Sequence, residues 1–199
     1  MDATGGDGGI RTVLSGIKLI QDNLPDVIGL YLCGPADKIQ GCALGIGLNI
    51  ESDQISIIDS DPSPACVERP SYIWKTHPDS PLVKSITLQK KGLVSASISA
   101  GDTAQIISTA IILLGKQKGV KKTPFGVIFP TVSGRKTLVL DVGANPDCKA
   151  EHLADFGSMG AGYLSTLMGP NFTPEIKLLN IGIEPEKGNS IIQKADSIL

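Results

Sequence analysis

Apolar positions along this chain come in short runs whose spacing alternates between strand-like and helix-like. Val27–Cys33 reads as a strand, and Pro35–Leu44 as a short helix opening on proline, which the first helical turn tolerates. Leu48–Ile58 predicts one or two short strands, broken at Asp53. Leu82–Lys90 predicts a helix ending at Gly92, Leu93–Ser99 a strand, and Asp102–Leu114 a core helix. Phe125–Phe129 and Lys136–Leu140 predict two further strands. Within Glu151–Leu167, the positions Leu153, Phe156, Met159 and Leu164 recur on related helical turns. Ile176–Ile181 reads as a strand and Gly188–Leu199 as a last helix. Ser60–Pro81 is rich in Pro, Ser and Asp and predicts a surface loop, to which Tyr72, Ile73 and Trp74 lend enough apolar surface for an ordered flap.

Repeated strand-then-helix order argues the α/β class, with a mainly parallel sheet covered by helices on both faces. A chain of 199 residues without internal repeats or low-complexity linkers is expected to form a single α/β domain over 1–199, with 60–81 as its loop or flap. The hydrophobic fraction of 41% and charged fraction of 19% suit a soluble globular protein. A net charge of -2 and only eight aromatic residues (three Tyr, four Phe, one Trp) argue against a nucleic-acid surface. Cys33, Cys42, Cys66 and Cys148 are too widely spaced for a zinc knuckle or redox dithiol. With His77 and His152 as the only histidines, neither a metal nor a cofactor is expected. No apolar run is long enough to span a bilayer and the Gly-rich start is unlike a signal peptide, so a cytoplasmic chain with reduced thiols is the simplest expectation.

Three strand ends could hold an anion. Ser99-Ala100-Gly101-Asp102-Thr103 places small residues before a helix whose first N–H groups are free. Asp141–Asn145 follows the apolar Leu138-Val139-Leu140, and within it Gly143 permits a tight turn while Asn145 offers an amide. Lys187-Gly188-Asn189 precedes the last helix and adds a positive charge. Converging above one sheet, these ends would make a phosphate-sized site. Asp102 and Asp141 also read as plain helix caps, and Lys187 as a solvated lysine. The opening Met1–Gly9 is not a dinucleotide fingerprint, and no P-loop occurs.

Four runs taken in order resemble the PlsX family of phosphate acyltransferases. They are Met1-Asp2-Ala3-Thr4-Gly5-Gly6-Asp7, Ser99–Thr103, the long run Asp141–His152, and Leu179–Asn189. The resemblance implies a three-layer α/β/α fold like that of isocitrate dehydrogenase and phosphotransacetylase, here incomplete. It implies phosphate attack on a long-chain acyl carrier protein thioester in phospholipid synthesis, giving acyl phosphate. It further implies a homodimer and peripheral association with the inner membrane face, through helices and an amphipathic element that the family carries beyond the position of Leu199.

Carried over by residue, Lys187 matches the family's catalytic lysine, with Gly188 and Asn189 in the same turn. Asp2, Gly5, Gly6 and Asp7 match the opening loop, Gly101, Asp102 and Thr103 the second motif, and Asp141, Gly143, Asn145 and Asp147 the central one. The glycines are expected to serve the backbone more than to touch a ligand. Lys116, Lys118, Lys121 and Lys122 cluster around one turn, where they could steer an acidic carrier or merely solvate a helix end. Asp102 and Ala104 stand where the family has Asn and Gly, and family members carry further elements beyond the position of Leu199. A shortened or divergent member is therefore expected. A binding module without catalysis, or a phosphotransacetylase-like enzyme acting on acyl-CoA, are the alternatives.

Overall fold

The computed structural model of the chain describes residues 1–64, 67–184 and 186–199. Cys66, and Pro185 within the Leu179–Asn189 run, lie outside the described residues. The chain divides into two compact units, Met1–Gly115 and Lys116–Leu199.

The first unit contains α1 (Gly9–Ile20), β1 (Leu30–Gly34), α2 (Ala36–Ile46), β2 (Ile55–Asp59), α3 (Ile73–Thr76), α4 (Pro81–Lys90) and α5 (Thr103–Leu114). β1 and β2 pair in parallel, from Leu30 opposite Ile55 to Gly34 opposite Asp59, with α2 as the crossover that parallel pairing demands. Met1–Ala3 lies along the other edge of β1: Cys33 N–H donates to the Met1 carbonyl at 2.8 Å, and Ala3 N–H to that of Cys33 at 2.9 Å. The Asp2 N–H turns the opposite way and donates to the Ile98 carbonyl at 2.8 Å. This short segment therefore aligns the opening loop with both β1 and the chain ahead of α5.

The apolar pattern predicts no element over 9–26, yet α1 forms there. Ile10, Val13, Leu14 and Ile17 recur at helical spacing and face the core, where Leu14, Ile17, Leu32, Ile39 and Ile55 are buried together. Leu93–Ser99, expected as a strand, forms no ladder beyond the Ile98 bond, and Leu93 and Ile98 remain exposed. Residues 60–81 hold a 3₁₀ turn at Pro70–Tyr72 followed by α3, whose Ile73 is buried.

The second unit contains β3 (Gly126–Pro130), β4 (Lys136–Leu140), α6 (Ala150–Met168) and α7 (Ser190–Asp196). The expectation of mainly parallel pairing is corrected here, because β3 and β4 are antiparallel, from Gly126 opposite Leu140 to Pro130 opposite Lys136. Their connection, 131–135, is far too short for a crossover and closes as a turn with Thr131 N–H donating to the Arg135 carbonyl at 2.8 Å. Ile176–Ile181 forms no strand either. No neighbour pairs with it among the described residues, and Leu179 and Ile181 stand 89% and 88% exposed. The fold is thus mixed α/β, with one parallel and one antiparallel strand pair among the described residues. No helix among the described residues is long and apolar enough to cross a membrane.

Candidate functional site

In the first unit two of the sequence motifs meet. The Asp2 side chain is buried. One of its oxygens accepts from the Thr4 N–H and hydroxyl, both at 2.9 Å. The other accepts from the Ser99 hydroxyl at 2.7 Å, and Ser99 in turn accepts from the Gly101 N–H at 3.1 Å. Gly5 completes the fit by having no side chain: a Cβ there would lie 2.8 Å from the Gly101 nitrogen and 2.9 Å from Asp2 Oδ2. Gly6 follows with φ +83, a region L side chains avoid. Among the described residues, the N–H groups of Gly5, Gly6 and Ala100 donate to no protein acceptor. Three backbone donors in adjoining turns are the makings of an anion nest.

Asp7 and Thr103 are exposed at the margins of this arrangement. Asp102 caps α5, with Oδ1 accepting from the Gln105 N–H at 2.8 Å. Cys33 is buried in the neighbouring strand, and burial pushes its thiol up, which leaves no ready thiolate for covalent acyl capture. Further side chains near the carboxyl ends of β1 and β2 carry no role in the sequence reading. Thr4 Oγ1 bonds Ser63 Oγ, and Lys84 donates to the Asp59 carbonyl at 2.9 Å while pairing with Asp79 at 3.3 Å. Ser99 itself is another, and its place directly after an alternating small–apolar run was the signal available.

In the second unit, Asp141, Gly143 and Asn145 form one loop organised by the aspartate. Asp141 Oδ1 accepts from the N–H groups of Phe125 at 3.0 Å, Gly143 at 3.3 Å and Ala144 at 2.9 Å. Oδ2 accepts from the Asn145 N–H at 2.7 Å and from its side-chain amide at 2.9 Å. Burial alone would raise this carboxyl, but the donors from Phe125, Asn145 and Ala144 outweigh it and hold the group below the usual carboxylate range. The Asn145 amide also donates to the Thr123 carbonyl at 2.9 Å. Asp147 is exposed, and its carbonyl accepts from the Lys122 ammonium.

Lys187 is exposed in a turn held by Asn180, whose side-chain amide donates to the Lys187 carbonyl at 3.1 Å. Gly188 has φ +86, and any Cβ there would collide with the Asn180 amide group. Asn189 caps α7, accepting from the Ile192 N–H at 3.0 Å. Asn180 is the residue that sequence reasoning passed over, although it lies inside the quoted run. Of the lysine cluster, Lys116 donates to the Lys121 carbonyl at 2.9 Å, and Lys118 and Lys121 are exposed. Among the described residues, no group of three or more His, Cys, Asp or Glu side chains could hold a metal ion.

The family described as fatty acid synthesis protein matches residues 1–199. Phosphate acyltransferases of Exiguobacterium sp., Dictyoglomus turgidum and Clostridium acetobutylicum are 32%, 33% and 34% identical to the chain over its whole length. The chain spans 59%, 58% and 59% of the length of these relatives. The match takes in the two motifs joined by Asp2 and Ser99 as well as the Asp141 loop and the Lys187 turn, and the chain belongs to the fatty acid synthesis protein family together with these phosphate acyltransferases.

Proposed function

We propose that the protein transfers a long-chain acyl group from acyl carrier protein to inorganic phosphate, supplying acyl phosphate to phospholipid synthesis. What carries the reading is the Asp2–Ser99 bond, which joins two motifs beside the Gly5, Gly6 and Ala100 amides, and these donate to no acceptor among the described residues. Such donors suit a phosphate dianion.

A phosphate oxygen attacks the thioester carbonyl carbon, and the new C–O bond forms as the C–S bond breaks. The electron pair leaves on the carrier sulfur, which takes the proton from phosphate and departs as free thiol. Lys187, the residue taken as catalytic, offsets charge growing on the thioester oxygen. Gly188 and Asn189 fix its turn, while Asp141, Gly143 and Asn145 supply a rigid second loop. Lys116, Lys118, Lys121 and Lys122 steer the acidic carrier. The same reading takes the working protein as a cytoplasmic homodimer that touches the membrane from its surface.

The test is phosphate-dependent trapping of acyl phosphate by hydroxylamine, with long-chain acyl carrier protein as donor. Hydroxamate should form with the parent protein and vanish in a folded Lys187→Ala variant. No phosphate-dependent hydroxamate from the parent, or undiminished formation by that variant, overturns the proposal.

A further inference from the structure

An apolar groove of about 610 Å³ opens between the β3–β4 hairpin and α6, with Ile128, Leu138, Leu140, Met159 and Tyr163 along it. This lies within the range of roughly 300–1,000 Å³ typical of small-molecule sites. Its floor is set by two glycines. A Cβ on Gly126 or on Gly160 would lie 2.7 Å from a Leu140 methyl group, so Leu140 sinks between them, and a side chain on either would push it up into the groove. Ile128 and Tyr163 form a half-open rim.

A second, polar cleft of about 680 Å³ lies at the start of the same helix, bordered by Lys121, Lys149, Lys194, Glu151 and His152. Three lysines there face one carboxylate, which is already paired with Lys194 at 2.8 Å. His152, Phe156, Gly160 and Tyr163 follow one another at helical spacing, so cleft and groove lie along one stripe of α6. Lys121 of the cleft also precedes Pro124 of the groove by a single turn of chain. A hydrocarbon slot beside a basic cleft fits a single-tailed amphiphile with an acidic head.

We propose that this groove holds the acyl chain of the donor, with the acidic carrier directed toward the lysines. The inference rests on the acyltransferase reading and deepens it, by naming where the chain lies within the second unit.

Titration of the full chain with cis-parinaric acid, a long-chain fatty acid that fluoresces in apolar surroundings, tests it directly. The parent should bind, and Ile128→Asp should bind at least about tenfold more weakly, since it places a charge against the tail. Tyr163→Ser at the exposed rim should weaken binding in the same direction, which covers the case of a misfolded Ile128→Asp. Val132→Asp, at a hairpin position wholly exposed, should leave binding unchanged. Absence of binding to the parent, or equal binding by the rim variants, overturns the proposal. Loss of self-association in Ile128→Asp with fatty-acid binding intact would assign the face to a second copy instead, and also overturns it. Fatty-acid binding that is lost in the rim variants supports the groove even if the parent forms no acyl phosphate, so the two readings fail separately.

Discussion

Asp2 and Asp141 each sit beside glycine-bearing turns, yet they organise their surroundings in opposite ways. Asp2 is buried and reaches across 97 positions of sequence to Ser99, joining two separate turns. Asp141 keeps almost entirely to its own loop, where its two oxygens take up the amides of Gly143, Ala144 and Asn145. The second loop therefore carries its own anion. In the first, the Gly5, Gly6 and Ala100 amides donate to no acceptor among the described residues, which leaves donors for a ligand. A glycine turn after a strand is thus no measure of anion affinity until the fate of its N–H groups is known.

The largest expected effect comes from removing the long-range link. Asp2→Ala strips a buried acceptor from the half-buried Ser99 and Thr4 donors and should destabilise the protein by about 3 kcal/mol. Asp141→Ala should cost only about 1–2 kcal/mol, because water can reach most of its loop and replace the lost acceptor. Urea denaturation of both variants orders them, and the reverse order would break the comparison.

Paired glycine substitutions sharpen the same contrast. Gly5→Ala brings a methyl group against the Gly101 nitrogen and the Asp2 carboxylate, so about 2 kcal/mol should be lost together with hydroxamate formation. Gly143→Ala meets nothing within 4 Å, and its cost comes only from φ +122, about 1 kcal/mol. Equal losses of stability and equal effects on phosphate binding would mean that close packing of the two first-unit motifs is irrelevant.

Acid should act on the second loop. The folded-state pKa of Asp141 is lowered, so the unfolded chain takes up its proton first as pH falls. The stabilisation is complete above about pH 4 and is lost below it, as pH descends through the lowered folded value. Glu151 is shifted the same way by the Lys194 hydrogen bond, but that pair is exposed and contributes little. Urea midpoints measured from about pH 5 to 3 should fall less steeply in Asp141→Asn than in the parent. An unchanged slope would remove Asp141 from the acid response.

Much of this was legible in the sequence where the signal is local. β4 falls on Lys136–Leu140 as read, and α4, α5 and α6 begin and end within a residue or two of the spans expected from periodicity. Capping by Asp102 follows from residue type and position, whereas Asp141, which reads the same way, caps no helix, because α6 starts only at Ala150 after Lys149. The failures are non-local or concern pairing. Leu93–Ser99 and Ile176–Ile181 have strand-like composition, but a strand exists only with a neighbour to bond. The missed α1 is a different case, since its helical stripe was present and was overshadowed by the glycines before it. Nothing in the spacing of Asp2 and Ser99 announces that their side chains meet.

The smallest effect is expected at Asp102, and it marks the edge of the first-unit arrangement. From the sequence, a carboxylate facing phosphate should repel it, and Asp102→Asn should then bind phosphate about tenfold more tightly. The observed geometry supports the other alternative, because Oδ1 is turned back onto the Gln105 N–H and the residue is exposed. Asn caps a helix as well as Asp does, so the cap survives the change. The charge lost from the helix start costs a few tenths of a kcal/mol, and water screens its influence on a nearby anion. Phosphate affinity should therefore change by less than about threefold, while Asp102→Ala loses about 1 kcal/mol of stability with the cap. Tenfold tighter phosphate binding by Asp102→Asn would place this carboxylate beside the anion and enlarge the nest to include the start of α5.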